Sequence, residues 1–373
     1  MSINVLRVCL IATELRGFGA YGGFGVLTHD IAHGLAARGV EVYIAMPRKD
    51  GQKPVETIDG ITVISYPSEL YDGLRYILPF AGLYRMIDAD VYHSQEPSIS
   101  TALAQIAEPR KKHIVTFQDP RSIEDWRKEW APRRVRRLDE WRFWLSYQRG
   151  PGKAARRAHA KYCQAKYIIE KVKCLYRLRE KPGFLPNPIK MLPIKSPKAV
   201  VPTVCYVGRW DARKRPQLFL DLAVQFPGVK FMFGGACVND PSIDAQIRQK
   251  CSGMQNIEAP GWLNETERTS LLDRSWILVN TSSRECLPVT YLEAGANKCA
   301  ILSHCNADGF ASNFGFWAER GDLDDYAQGL RFLLENNRWK ALGEKAHDYV
   351  KNTHEHERVI DQHLSVYQQV LNS

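Results

Sequence analysis

Two acidic residues, Glu285 and Glu293, bracket the start of an apolar helical pattern in Trp276-Ile-Leu-Val-Asn-Thr-Ser-Ser-Arg-Glu285-Cys-Leu-Pro-Val-Thr-Tyr-Leu-Glu293-Ala. Trp276 to Asn280 reads as a buried strand. A polar loop follows, and Pro288 falls in the first helical turn, where its missing N–H costs nothing. Glu285 then lies in the loop at the helix N-terminus, and Glu293 lies more than a turn further in. The N–H groups of Cys286, Leu287 and Val289 can face an anion there, aided by the positive end of the helix dipole. The two carboxylates can accept from neutral hydroxyls. A ligand carrying both phosphate and hydroxyl groups, such as a sugar nucleotide, meets both requirements. The same spacing also fits a plain helix start with one capping Glu and one surface Glu.

A second set of residues offers phosphate chemistry. Gly208-Arg209-Trp-Asp-Ala-Arg-Lys214-Arg-Pro216 follows one predicted strand and precedes a helix. A planar Arg fork and a movable Lys charge on such a loop could clamp a pyrophosphate and stabilise charge on a leaving group. Read alone, it is also a basic surface loop. Near the N-terminus, Gly17-Phe-Gly19-Ala-Tyr-Gly22-Gly23-Phe-Gly25 leads into a helix. Gly22 and Gly23 there would let backbone amides approach a phosphate or sugar. Gly261-Trp262-Leu263 is a turn that could meet a nucleotide base, or serve the core.

The elements that must position these residues alternate strand and helix in two blocks. In the first, strands read at Val5–Ala12, Glu41–Met46, Ile61–Tyr66, Asp90–His93 and Ile114–Phe117, with a helix over Val26–Ala37 closed by Gly39. In the second, strands read at Thr203–Val207, Val229–Phe233, Ile277 onward and Cys299–Ser303, with helices from Pro216, Glu265 and Pro288. Such alternation predicts α/β domains with parallel sheets covered on both faces. The prolines 182, 186, 188, 193, 197 and 202 mark the linker. The expected division is 1–186, 187–352, and a terminal helix over 353–373 with Ile360, Leu364, Tyr367 and Leu371 on one stripe. Ligands of such sheets bind at the carboxyl ends of the strands, so two domains facing each other imply a cleft.

The stretch Glu285-Cys-Leu-Pro-Val-Thr-Tyr-Leu-Glu293-Ala resembles the Glu-x7-Glu signature of the family 4 retaining glycosyltransferases. Arg209 and Lys214 match the Arg and Lys with which that family holds the leaving diphosphate. The Gly22-Gly23 loop is similar to its N-terminal glycine loop, Gly261-Trp262-Leu263 to its base-binding turn, and Pro186-Asn187-Pro188 to the step into its second domain. The resemblance covers nearly the whole chain. It implies the two-Rossmann-domain GT-B fold, with the terminal helix returning to the first domain. It also implies Glu285 beside the donor sugar and Glu293 on the ribose hydroxyls. By the same resemblance the partners are a nucleotide-diphosphate sugar such as a UDP-sugar and a glycan or lipid-linked acceptor, as in cell-envelope biosynthesis. The expected chemistry is front-face substitution without a metal or other cofactor. Two positions depart from the pattern. Cys286 replaces a Gly, and Gln118 replaces a His in Thr116-Phe-Gln118-Asp119, so either His93 or Asp119 compensates as the acid/base group on the acceptor side or the acceptor chemistry differs. As a lone histidine, His93 also reads as structural.

Composition narrows the alternatives. A 373-residue chain with 45% apolar residues has room for two cores, and no run approaches the roughly 18 to 20 apolar residues of a membrane span. The first apolar run is short and broken by Arg7, unlike a secretory leader. Nine cysteines without a Cys-x-x-Cys pair read as reduced thiols of a cytoplasmic protein. Cys299 with His304-Cys305 is a weak metal pattern. The charge of +10 raises a nucleic-acid-binding alternative, yet no recognition helix, zinc finger or RNA-binding strand motif supports it. A sugar-nucleotide epimerase would need several placed acid/base groups that do not stand out. A donor-binding paralogue without transferase activity remains an alternative because of Gln118 and Cys286. The basicity concentrates in residues 121–181, with 19 Lys/Arg against 7 Asp/Glu. Arg133, Arg134, Arg136 and Arg137 interleave there with Trp130, Trp141 and Trp144. That pattern suits an anionic membrane surface or an acidic acceptor; it equally suits aromatics packed into the domain with solvated arginines.

Overall fold

The computed structural model describes residues 5–19, 21–67, 77–130, 140–141, 150–237 and 240–373. Arg133, Arg134, Arg136 and Arg137 lie outside them. The chain divides into two compact units, Met1–Pro188 with His356–Ser373, and Ile189–Glu355.

In the first unit the strands are β1 (Arg7–Ile11), β2 (Glu41–Pro47), β3 (Val55–Ile58), β4 (Ile61–Tyr66), β5 (Val91–Ser94), β6 (Lys112–Phe117), β7 (Ala160–Cys163) and β8 (Gly183–Phe184). They pair in the order β3-β4-β2-β1-β5-β6-β7-β8, parallel throughout except β3 against β4. Val8, Cys9 and Leu10 are all fully buried, as a strand covered by helices on both faces requires. The antiparallel edge strand β3 was not expected from periodicity. It is set by the two-residue turn Asp59-Gly60, both at positive φ (49° and 82°), the geometry of a tight hairpin.

The terminal helix His356–Asn372 belongs to this unit. It packs on the helix Gly23–Ala36, where a side chain on Gly34 would bring a Cβ within 2.5 Å of Ile360 Cγ1. Glycine is therefore the residue that permits this approach. Arg38 Nε bonds Asp361 at 2.7 Å across the same contact. The buried stripe of the terminal helix is Ile360, His363, Tyr367 and Val370, with Leu364 half-buried on the same core, whereas Leu371 is exposed.

The second unit holds β9 (Thr203–Val207), β10 (Lys230–Gly234), β11 (Ile257–Gly261), β12 (Ile277–Asn280), β13 (Ala300–Ser303) and β14 (Gly315–Trp317). They form a parallel sheet ordered β11-β10-β9-β12-β13-β14. One face is filled by aromatics, with Trp210 stacked on Phe233 at 4.6 Å between centroids and Phe219 on Phe233 at 5.1 Å. The chain passes between units at 188–189 and 355–356. On the second-unit side these passages pair, Ile189 N donating to His354 O at 2.7 Å. No helix among the described residues is long and apolar enough to cross a membrane.

Candidate functional site

In open α/β sheets ligands bind at the carboxyl ends of the strands where the strand order reverses, and each sheet here reverses at one place. In the second unit the reversal lies between β9 and β12. The loops that leave these two strands are Gly208–Arg215 and Thr281–Pro288, which carry the phosphate-clamp candidates and Glu285.

The first loop is shaped by its own residues. Asp211 caps a short 3₁₀ turn over Ala212–Lys214, its carboxylate accepting from Lys214 N at 3.1 Å. Arg215 then adopts φ +47°, a left-handed conformation unusual for a side chain other than Gly. Its cost is offset by the guanidinium, which donates to the carbonyls of Thr281 and Gly321. The Thr281 hydroxyl donates to Lys214 O at 2.6 Å, and Ser283 N to Arg213 O at 3.0 Å. These bonds stitch the two loops together and bring Lys214 Nζ onto the Glu285 carboxylate as an ion pair. Both side chains are largely buried. Burial by itself would raise the Glu285 carboxyl, but the Lys214 ammonium outweighs it, helped by Ser282 and Arg213, and the group sits below its ordinary range.

Arg209 occupies the same loop with a side chain 44% exposed, its Nε 3.4 Å from Asp211 Oδ2. Gly208 N donates to Gly234 O at 3.2 Å, and Gly235 N to Gly261 O at 2.8 Å, so glycines line the ends of β9, β10 and β11. Gly261 has φ +90°. After it Trp262 exposes half of its surface, while Leu263 is half-buried against Gly234. The helix Val289–Ala296 starts one residue later than its sequence suggests, with Pro288 as an extended N-cap that offers no side-chain acceptor. Leu287 is buried; Cys286 and Val289 keep partial exposure. Glu293, one and a half turns in, pairs with Arg268 at 2.8 Å.

In the first unit the reversal lies between β1 and β5. The glycine loop after β1 is already occupied by an internal anion. Glu14 Oε1 accepts from both Gly22 N and Gly25 N at 3.0 Å, and the helix begins at Gly23, three residues before the expected Val26. The Gly22 amide is thus committed within the protein. After β5, Glu96 Oε2 accepts from Gln118 N at 2.7 Å and Asp119 N at 2.9 Å. Burial pushes the Glu96 carboxyl up to about 8, with the Asp119 carboxylate adding to it. Asp119 itself takes Arg121 Nε at 2.8 Å.

Two acceptor-side expectations change. His93 opens onto no crevice: it is fully buried, Nδ1 lies 2.9 Å from Tyr367 Oη and Nε2 2.8 Å from Thr116 Oγ1. Burial and the neighbouring His363 hold it well below the ordinary histidine range, so it stays neutral and knits β5 to the terminal helix. Gln118 is likewise buried. Its amide pairs reciprocally with Asn187, at 2.9 and 3.0 Å, and Asn187 also donates to Gln164. Its role is to hold the segment that leads out of the unit. Cys299 and Cys305 bond separate carbonyls, of Leu272 and Ser282, and His304 Nδ1 meets Ala318 O. Among the described residues the side chains grouped closely enough for a cation are His29, His33 and Asp59, none of them a donor-site candidate. Glu14, Glu96, Arg215 and Arg268 were not singled out from the sequence. Only Glu14 left a signal, as an acid ahead of a glycine-rich helix start.

The profile Glycosyltransferase Family 4 matches residues 21–191, and Glycosyl transferases group 1 matches residues 194–356. No curated protein matches the chain. Among solved structures it is similar to a sucrose-phosphate synthase from Thermosynechococcus elongatus, with TM-score 0.77 and 17% identity over 98% of this chain and 99% of that one. A glycosyltransferase from Rickettsia africae superposes with TM-score 0.72 at 15% identity, covering 99% of both chains. HepE of Anabaena, in complex with UDP-glucose, does so with TM-score 0.67 at 13% identity over 97% and 100%.

Proposed function

Because the chain belongs to the family 4 glycosyltransferases of GT-B architecture, we propose that it moves a sugar from a nucleotide-diphosphate sugar to an acceptor hydroxyl with retention at the anomeric carbon. The observation that carries this reading is the Lys214–Glu285 pair at the strand-order reversal of the second unit. In the proposed reaction the anomeric C–O bond to the diphosphate breaks while the acceptor oxygen attacks from the same face. The acceptor proton passes to a phosphate oxygen of the leaving group. Arg209 and Lys214 stabilise the charge that grows there, as fixed cations do best in a partly dry site. The uncapped start of the helix Val289–Ala296 adds its dipole and amides. Glu285 steers the sugar, and Glu293 receives the ribose hydroxyls. No step needs a metal in this scheme.

A UDP-sugar is the donor class favoured, supported by the UDP-glucose bound to the Anabaena relative. Screening UDP-, GDP- and ADP-sugars for thermal stabilisation tests this, because a ligand of the native state raises apparent stability by mass action. Stabilisation by one nucleotide series and not by its free sugar is expected. No shift with any of them at millimolar concentration would remove the donor assignment.

For the acceptor we propose a glycan or lipid-linked sugar, reached from an anionic membrane surface through the basic segment around Arg133, Arg134, Arg136 and Arg137. Such side chains contribute roughly 1 kcal/mol each at an anionic bilayer. Flotation should require anionic lipid, weaken with salt and fall when the four become Ser. Equal recovery with neutral and anionic vesicles would leave a soluble acceptor.

A further inference from the structure

Resting on the reading of Glu293 as the ribose acceptor, we propose that Arg268 is a positioning residue that fixes this carboxylate and thereby sets the preference for ribose over deoxyribose donors. Arg268 Nη2 meets Glu293 Oε1 at 2.8 Å, and both side chains are about four-fifths buried. The two residues come from neighbouring helices, Glu265–Arg274 and Val289–Ala296.

The first helix is built to aim Arg268. Asn264 caps it, accepting from Glu267 N at 2.9 Å, while Glu267 Oε2 accepts from Asn264 N at 2.9 Å. That reciprocal bond commits the Glu267 carboxylate, the acid adjacent to Arg268, to the cap. Arg268 N donates to Asn264 O at 2.9 Å, which closes the first turn. Further along, Asp273 accepts from Lys195 N at 3.0 Å. On the other side, Asn297 Nδ2 donates to Glu293 O at 2.8 Å and anchors the backbone that carries the carboxylate.

The pairing is compatible with ligand binding. A carboxylate has about four lone-pair directions, so the pair with Arg268 does not by itself exclude hydroxyl donors from Glu293. A glutamate without a partner would have to be ordered when the donor binds, and an ordering cost met in advance appears as affinity. A site that hydrogen-bonds a hydroxyl rejects an analogue lacking it, provided the acceptor cannot relax away. The planar guanidinium supplies that restraint better than a lysine ammonium.

The test uses the full chain, the donor found by stabilisation and its 2′-deoxy counterpart, with variants Arg268→Ala, Arg268→Lys, Arg268→Met and Glu293→Gln. Arg268→Ala should raise the donor KM about tenfold, leave kcat within about twofold and lower the ribose-to-deoxyribose preference, with Arg268→Lys recovering part of it. Should Arg268→Ala fail to fold, Arg268→Met keeps the aliphatic stem and supplies the same comparison. An unchanged donor KM and preference in a folded Arg268 variant, while Glu293→Gln raises KM, would overturn the inference and spare the donor site. An unchanged KM in Glu293→Gln would instead remove the donor-site reading and this inference with it. A fall in kcat with a rise in KM, equal for both donors, would mark structural damage and also overturn it.

Discussion

Lys214 and Glu285 stand 71 residues apart in the chain and meet as an ion pair between the loops that follow β9 and β12. Each neutralises a charge the other would leave in a largely buried place. On the proposed reading an arriving diphosphate would compete with Glu285 for the same ammonium, and the pair would then serve as both a structural bond and a clamp.

Lys214→Ala should therefore act twice. Transfer should fall on the order of a hundredfold, and stability should drop by on the order of 2 kcal/mol as Glu285 loses its counter-charge. Adding Glu285→Gln should restore most of the stability and none of the turnover. Denaturant melts beside initial rates read both effects. Full activity in the folded single variant would end the clamp assignment.

Arg209 offers the contrasting case. Its half-exposed pair with Asp211 contributes little to folding, so Arg209→Ala should melt like the parent while transfer again falls about a hundredfold. A large loss of stability with normal turnover would reverse its role.

Retention and metal independence are checked together. Product formation should survive EDTA, and proton NMR should find the anomeric configuration of the donor in the product. An inverted centre would defeat front-face substitution outright.

Glu96 predicts a pH dependence. Its carboxyl moves from an ordinary value of 4.5 up to about 8 in the folded protein. Between those values the native state retains a proton that the unfolded chain has released. The stability it contributes is complete below about pH 4.5 and is lost as pH rises through 8. Glu96→Gln keeps an acceptor oxygen for the Gln118 and Asp119 amides and removes the titration. Its melting temperature should gain on wild type from pH 5 to pH 9. Parallel curves would show that Glu96 does not titrate there.

The Gln118–Asn187 amide pair predicts coupled losses. Gln118→Ala or Asn187→Ala takes two hydrogen bonds from a buried amide and should cost about 1–3 kcal/mol. The double variant should cost less than the sum, because the orphaned partner is gone. Simple additivity would mean that the two amides act independently.

The elements themselves were legible in the sequence. Apolar runs with strand period, glycines at turns and prolines between the blocks identify two parallel-sheet units, because each signal comes from neighbours within one element. The loops bearing Arg209, Lys214 and Glu285 were legible for the same reason, since a loop between a strand and a helix is a local feature. Composition likewise pointed to the basic segment without giving it a structure.

The partnerships were decided by tertiary structure. His93 looked like a candidate acid/base group until Tyr367, 274 positions away, and Thr116 took up its ring nitrogens. Gln118 read as a departure from a catalytic histidine, and its amide belongs to Asn187. The Gly22 amide was read as open to a ligand and is held by Glu14. Sequence determined which residue types stand at the ends of strands. Strand order decided which of those ends diverge, and side chains distant in the chain decided which polar groups were already satisfied. Burial demands partners for polar groups wherever they come from, and period or composition carries no record of a contact made across the fold.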